Sequence, residues 1–329
     1  MEIPVPGVPE TSPRGFFEAL AGDGRPLLSL TGVCLVFSGG FALFLSAGRH
    51  FLPHDVQFLG MTAEQLCSLH ACRIVHFMIH DRVAFGGALI AVGLLYLWLA
   101  AFPLREGEAW AWWLFVGSGV IGFGSFLAYL GYGYLDTWHG TATLGMLPCF
   151  LLGLVRSRRL LRGSRSIRSL LRPGAPLEPG TAAGLGRACL LATAAGMILG
   201  GATILGVGMT SVFVPQDLRF MGLKVEDLQS VNSRLVPLIA HDRAGFGGAI
   251  FTGGLLVLGC VWCGRPSRSL WQALLLGGGV GFSCAVGIHF AVGYTDALHL
   301  APAAAGGLLF LLGMGLSRRS MLTAAGPGR

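Results

Sequence analysis

Eight apolar stretches, each about long enough to cross a bilayer, follow one another along the chain: residues 27–47, 83–102, 110–134, 139–155, 188–214, 244–263, 270–294 and 299–316. Spanning the hydrocarbon core takes roughly 20 apolar residues in a helix. In lipid the backbone must satisfy its own hydrogen bonds, so a chain offering this length eight times folds as helices. The second and sixth spans can start earlier, at Ile74 and Pro237, because apolar residues precede their polar triplets. Only 12% of residues are charged, where a soluble domain carries about 25%. The 52 glycines lack the every-third-residue period of collagen. The expected fold class is all-α, a polytopic membrane protein with eight transmembrane helices. No secretory cleavage pattern precedes the first span, and residues 1–26 read as a loose tail.

Basic residues give this bundle an expected orientation. Arg156, Arg158, Arg159, Arg162, Arg165, Arg168 and Arg172 follow the fourth span, Arg265 and Arg268 the sixth, and Arg318 and Arg319 the eighth. With eight spans these all share the side of both termini, which receives 16 of the 23 basic residues but 7 of the 16 acidic ones. The positive-inside rule then places both termini in the cytoplasm of an integral, cell-membrane protein. The expected partners are the lipid bilayer and, at the basic linker, anionic lipid headgroups. No nucleic acid partner is expected.

The chain also repeats itself. Pro53-His54-Asp55 through Gly60 matches Pro215-Gln216-Asp217 through Gly222, and Arg73 matches Arg234. His80-Asp81-Arg82-Val83-Ala84-Phe85-Gly86-Gly87 matches His241-Asp242-Arg243-Ala244-Gly245-Phe246-Gly247-Gly248. Gly133-Tyr134-Leu135-Asp136-Thr137-Trp138-His139 matches Gly293-Tyr294-Thr295-Asp296-Ala297-Leu298-His299. Each repeat holds four spans, so the two share one topology, as in parallel repeats about an axis along the membrane normal. This predicts two tandem four-helix bundles side by side: a first repeat at 27–155, a basic cytoplasmic linker at 156–187, a second repeat at 188–316 and a tail at 317–329. Gly196/Gly200 and Gly277/Gly281 have the spacing for close helix packing.

All nine histidines fall on the extracytoplasmic side of this topology. His-Asp-Arg opens the second span of each repeat and Asp-x-x-His opens the fourth, at one membrane depth. This predicts His80, Asp81, Arg82, Asp136 and His139 converging in the first bundle, and His241, Asp242, Arg243, Asp296 and His299 in the second. His76, four residues before His80, shares its helical face. Ionisable groups near hydrocarbon usually face a partner charge or a cavity, so an ion pair such as Arg82 with Asp136 is the structural alternative. A histidine in both motifs goes beyond pairing, since neutral imidazole is the commonest metal ligand and a proton relay.

The candidate ligands for a transition metal or haem are therefore His76, His80, His139, His241 and His299. Asp81, Asp136, Asp242 and Asp296 would orient them, while Arg82 and Arg243 would balance charge or hold a small-molecule, quinone-like substrate. Haem would be held axially by His80 with His139 and by His241 with His299. Asp55, Asp217, Arg73 and Arg234 are loop candidates. His50 and His54 read as solvated, and His289 reads as a hydrogen-bonded residue within its span. The loops after the first and fifth spans are either lids over the site or helices lying on the membrane. Cys67 and Cys72 lie close enough in sequence to strain a disulfide. The expected function is redox chemistry at a duplicated, histidine-rich membrane site. The alternatives are a transporter or proton-coupled channel, and a non-catalytic membrane scaffold.

Overall fold

A computed structural model describes residues 15, 18, 21–127 and 133–323. Most of the expected N-terminal tail, the end of the third expected span and residues 324–329 lie outside the described residues. The described residues are helical and contain no strand. In order they are α1 (Arg25–Ala47), α2 (Pro53–Leu59), α3 (Ala63–Cys67), α4 (Arg73–Ala101), α5 (Ala109–Leu127), α6 (Thr137–Ser157), α7 (Ala182–Gly208), α8 (Pro215–Met221), α9 (Val225–Val231), α10 (Leu235–Cys263), α11 (Arg268–Val292) and α12 (Ala297–Thr323).

Eight of these helices are long and apolar enough to cross a membrane. Their outward faces carry large apolar side chains such as Phe37, Phe44, Leu144, Val155, Leu308 and Leu311. A soluble monomer rarely exposes contiguous apolar surface on that scale. Both features suggest an integral membrane protein.

α4 and α10 are the most buried of the eight and pack against each other at the centre. Both begin well before their polar triplets, α4 at Arg73 and α10 at Leu235. His80 thus lies seven residues inside α4, roughly 10 Å along the axis at 1.5 Å per residue. The triplets do not open their helices, in keeping with the earlier starts allowed at Ile74 and Pro237; they are carried into the interior.

The paired glycines of the two triplet motifs explain how the other helices dock. A Cβ on Gly86 would meet the backbone of Gly39 in α1, and a Cβ on Gly87 would meet Cys284 in α11. In α10, Gly247 faces Leu205 of α7 and Gly248 faces Ser125 of α5. The first glycine of each pair seats the helix that opens its own half. The second seats a helix of the opposite half. Contacts therefore cross between halves, α11 lying on α4 and α5 on α10. The interleaving differs from two separate bundles standing side by side. Of the glycines singled out for packing, Gly277 and Gly281 do lie against Ala91, whereas Gly196 and Gly200 have open space around them.

The two inter-helix loops fold against the same end of the molecule. α2 and α8 each start with proline at the first helical position and end at a left-handed glycine, Gly60 (φ 68°) and Gly222 (φ 69°). Proline loses nothing at that start, and glycine alone takes that stop without strain. Arg73 donates to the Phe220 carbonyl, Arg234 to the Phe58 carbonyl, and Asn232 to the Leu59 carbonyl. Each loop is thereby latched to the other half. Cys67 and Cys72 are joined in a disulfide beside α3. The basic linker is anchored too: Trp113 donates to the Arg165 carbonyl, and Arg187 donates to Val261 and Trp262 at the end of α10.

Candidate functional site

Two clusters of histidine and aspartate form beneath the latched loops, and each draws on both halves of the chain. In cluster A, Asp136 caps α6 by accepting from the His139 backbone N–H (2.9 Å), the usual role of an N-cap aspartate. Its other oxygen lies beside His139 Nδ1, 3.2 Å from His54 Nε2 and 3.4 Å from His241 Nε2. His54 comes from α2 and His241 from α10. Burial pushes the Asp136 carboxyl up, but the three histidines outweigh it and hold it far below the usual carboxylate range. One carboxylate oxygen thus gathers three imidazoles.

In cluster B, His80 from α4 meets His289 of α11 and His299 of α12. The His80 and His289 Nε2 atoms are 3.1 Å apart. The two rings stand nearly perpendicular, and His299 lies 5.4–5.5 Å from both by ring centroid. Asp296 caps α12 through the His299 N–H, as Asp136 does α6, but its side chain is directed to Arg219 at 3.8 Å instead of into the cluster. The ligand atoms of His80, His289 and His299 lie within 4.8 Å of one another, as do those of His54, Asp136 and His139. Either group could hold a metal ion.

Arginines tie the clusters together across the halves. Arg82 reaches Asp55 (2.8 Å) and Asp242 (2.9 Å), and Arg243 reaches Asp217 (2.8 Å), Asp81 (3.1 Å) and the Val212 carbonyl (2.9 Å). The expected Arg82–Asp136 pair does not form, because the histidines enclose Asp136. Tyr134 donates to Asp55 (2.5 Å) and Tyr294 to Asp217 (2.7 Å). Burial and the neighbouring carboxylate push both tyrosine hydroxyls up, so each remains a protonated donor. Burial raises the Asp55 carboxyl, but Arg82 and then Tyr134 more than compensate and leave it below its ordinary value.

The hydrogen-bond partners define the tautomers in cluster B. His289 Nδ1 lies 2.7 Å from the Ala285 carbonyl, which can only accept. His80 Nδ1 lies 2.9 Å from Asp81, a carboxylate that also accepts from Arg243. Both Nδ1 atoms therefore carry the proton, and in a neutral imidazole the other nitrogen bears a lone pair. Two lone pairs facing at 3.1 Å repel unless a proton on one imidazole or a metal cation lies between them. Two metal–nitrogen bonds of about 2.0–2.1 Å at 90–109° place their nitrogens roughly 2.9–3.4 Å apart, whereas opposed axial ligands stand about 4 Å apart. The observed spacing is compatible with ligands side by side on one metal and is shorter than the span of two opposed axial ligands.

Of the sequence candidates, the structure brings His139 and His241 together in cluster A and places His80 and His299 in cluster B. The expected haem pairs, His80 with His139 and His241 with His299, are not formed. His76 is half-buried with Arg49 as its charged neighbour and stands apart from both clusters. Asp81, Asp242, Asp55 and Asp217 hold the arginines, and Arg73 and Arg234 latch the loops. His54, expected in solvent, is buried at 8% exposure, and His289 is more enclosed still at 4%. Tyr134 and Tyr294 were present in the repeated Gly-Tyr-x-Asp-x-x-His motif but carried no assigned role.

A cavity of about 330 Å³ adjoins cluster A, with His54, Asp55, Arg82, Asp136, His139 and Asp242 at one end and an otherwise mainly apolar lining. Comparison with protein-family models, curated proteins and solved structures finds no match for this chain.

Proposed function

We propose that this is an integral membrane protein that binds a transition metal at each of two histidine clusters and uses them in redox chemistry. The observation that carries the reading is the facing pair of His80 and His289 nitrogens, 3.1 Å apart, each with its other nitrogen committed to an acceptor. Metal-binding histidines typically donate their remote N–H to a carboxylate or backbone carbonyl. Cluster A offers two histidines and a carboxylate, cluster B three histidines. Nitrogen-rich sets of this kind suit iron and copper as well as zinc, which has no redox couple.

The membrane setting follows the same reasoning. Repeated motifs at an offset of about 160 residues and a recurring order of long and short helices support tandem parallel repeats. The basic excess at 156–172, 265–268 and 318–319 supports cytoplasmic termini, clusters at the extracytoplasmic face and contact between the linker and anionic headgroups.

Elemental analysis of protein purified without chelator tests the proposal. The expected result is about two metal equivalents per chain, falling to about one in either His289→Ala or His139→Ala. Dithionite and ferricyanide should interconvert two spectroscopic forms of the bound metal. A folded, metal-free protein that takes up neither iron, copper nor zinc on titration overturns the metal reading. Bound metal with no oxidation-state change removes the redox part.

A further inference from the structure

The cavity beside cluster A continues from the site out toward the apolar surface. Between α1 and α6, the tight glycine approach is at the arginine-rich end, where a Cβ on Gly24 or Gly153 would strike the opposing helix. At the other end the cavity lies between Phe41 and Ala42 of α1 and Trp138 and Ala142 of α6. Phe41, Trp138 and Ala142 are all exposed on the face that lipid would cover. Cavity-lining residues of both helices are thus exposed at this end, which opens the cavity toward the side lipid would cover.

The inner end of this space is chemically distinct. His54 is buried, and its Nδ1 has no hydrogen-bond partner among the described residues. His54 and His139 both line the cavity, beside the Asp136 carboxylate. Deeper in, the lining is Phe85, Phe123 and Leu89, ending near Tyr96, whose hydroxyl is already paired with Ser118 at 2.9 Å. A few convergent polar groups on a largely apolar pocket are the usual mark of a small-molecule site. Imidazole can donate to a carbonyl oxygen or accept from a hydroxyl, so the same residues recognise both the oxidised and the reduced form of one ring. The aromatic walls suit a flat ring by stacking or edge contact.

We propose that this cavity takes a lipid-soluble ring compound of the quinone class, entering sideways between α1 and α6 with its oxygen-bearing head toward His54 and His139. The proposal deepens the redox reading by naming the molecule that reaches cluster A, and rests on that reading for what the bound head is used for. A volume of about 330 Å³ lies at the small end of ligand pockets and suits a single ring head.

The test uses full-length protein in detergent, with decylubiquinone as the probe and Trp138 fluorescence as the readout. Expected are saturable quenching that is strongly reduced in Trp138→Phe and a half-saturating concentration at least tenfold higher in Ala142→Trp, which fills the opening. Metal content should match the parent protein in Ala142→Trp. Quenching that rises linearly without saturating, or that is unchanged in Ala142→Trp, overturns the inference. So does stoichiometric phospholipid in the purified protein that decylubiquinone fails to displace. A metal-free protein that still binds the probe leaves this site standing and removes the metal reading. A metal-loaded protein that does not bind it removes this inference alone.

Discussion

Replacing Arg82 with methionine isolates the ion pairs that join the two halves. The guanidinium lies 2.8 Å from Asp55 and 2.9 Å from Asp242, while Asp55 is only 2% exposed and the Asp242 side chain 13%. Methionine preserves most of the volume but leaves two enclosed carboxylates facing each other with no cation. Removing one partner of a buried pair typically costs about 3–5 kcal/mol. At about 2 °C per kcal/mol for a chain this large, the unfolding midpoint should fall by roughly 6–10 °C near neutral pH. The pH response should also reverse. In the native protein Arg82 and Tyr134 hold Asp55 below its ordinary value despite burial, so its contribution is present above the unfolded pKa and lost as pH falls through the folded one. Without Arg82, burial raises the Asp55 carboxyl, and the variant regains stability as acid protonates it. Unfolding in detergent followed by tryptophan fluorescence at about pH 7.5 and about pH 5 reads both effects, the lower value approaching the carboxylate range. Adding Asp55→Asn and Asp242→Asn to the variant should restore most of the loss. A midpoint equal to the parent's at both pH values, or no recovery in the triple variant, refutes the assignment of these pairs as the cross-tie.

Tyr134→Phe removes a donor to a charged acceptor and should lower stability by about 1.5–3 kcal/mol, with Tyr294→Phe giving a similar loss at Asp217; thermal unfolding of the two variants checks this. Gly248→Leu should prevent α5 from docking on α10, because even a Cβ there would collide with Ser125; limited proteolysis should then cut the α5–α6 region faster than in the parent protein. Asp136→Asn should deplete metal from cluster A and spare cluster B, halving the metal found by elemental analysis. Because Asp136 is held far below the ordinary carboxylate range, its carboxylate should remain ionised between about pH 7 and 5, and metal loss from cluster A over that range should be unchanged in its steepness by Asp136→Glu; a metal-binding titration measures it.

The eight helices were legible because a run of apolar residues needs no partner to be recognised. The early starts of α4 and α10 were legible as the alternative at Ile74 and Pro237, within two residues of the observed Arg73 and Leu235. The polar triplets interrupt the apolar runs of α4 and α10, yet those residues are inside the helices, covered by neighbours that the local pattern does not name. His54 was misjudged for a related reason. A polar residue in a loop reads as solvated, and only the folding of α2 against Asp136 and Tyr134 encloses it. The clue was available in the matching Pro-x-Asp starts of α2 and α8, since both aspartates are buried against arginines. The crossing of α5 and α11 to the opposite half had no local signal. The paired glycines permit two close approaches, but which helix arrives at each is decided by tertiary packing.

That crossing also decides which histidines meet in each cluster. His80 and His241 occupy matching positions, as do His139 and His299, and each cluster takes one histidine of each kind. The third histidine has a different origin: His54 in cluster A, where the second half has Gln216, and His289 in cluster B, where the first half has Tyr129, a residue outside the described ones. If the histidines served only to bridge helices, an amide or a phenol could do so at both places, as the other half's residues suggest. Instead each cluster reaches three imidazoles by its own route. In cluster A the three imidazoles surround one Asp136 oxygen, with His54, Asp136 and His139 close enough to share an ion, and in cluster B three imidazoles face one another; three-ligand sets of both kinds are what the proposed metal sites need.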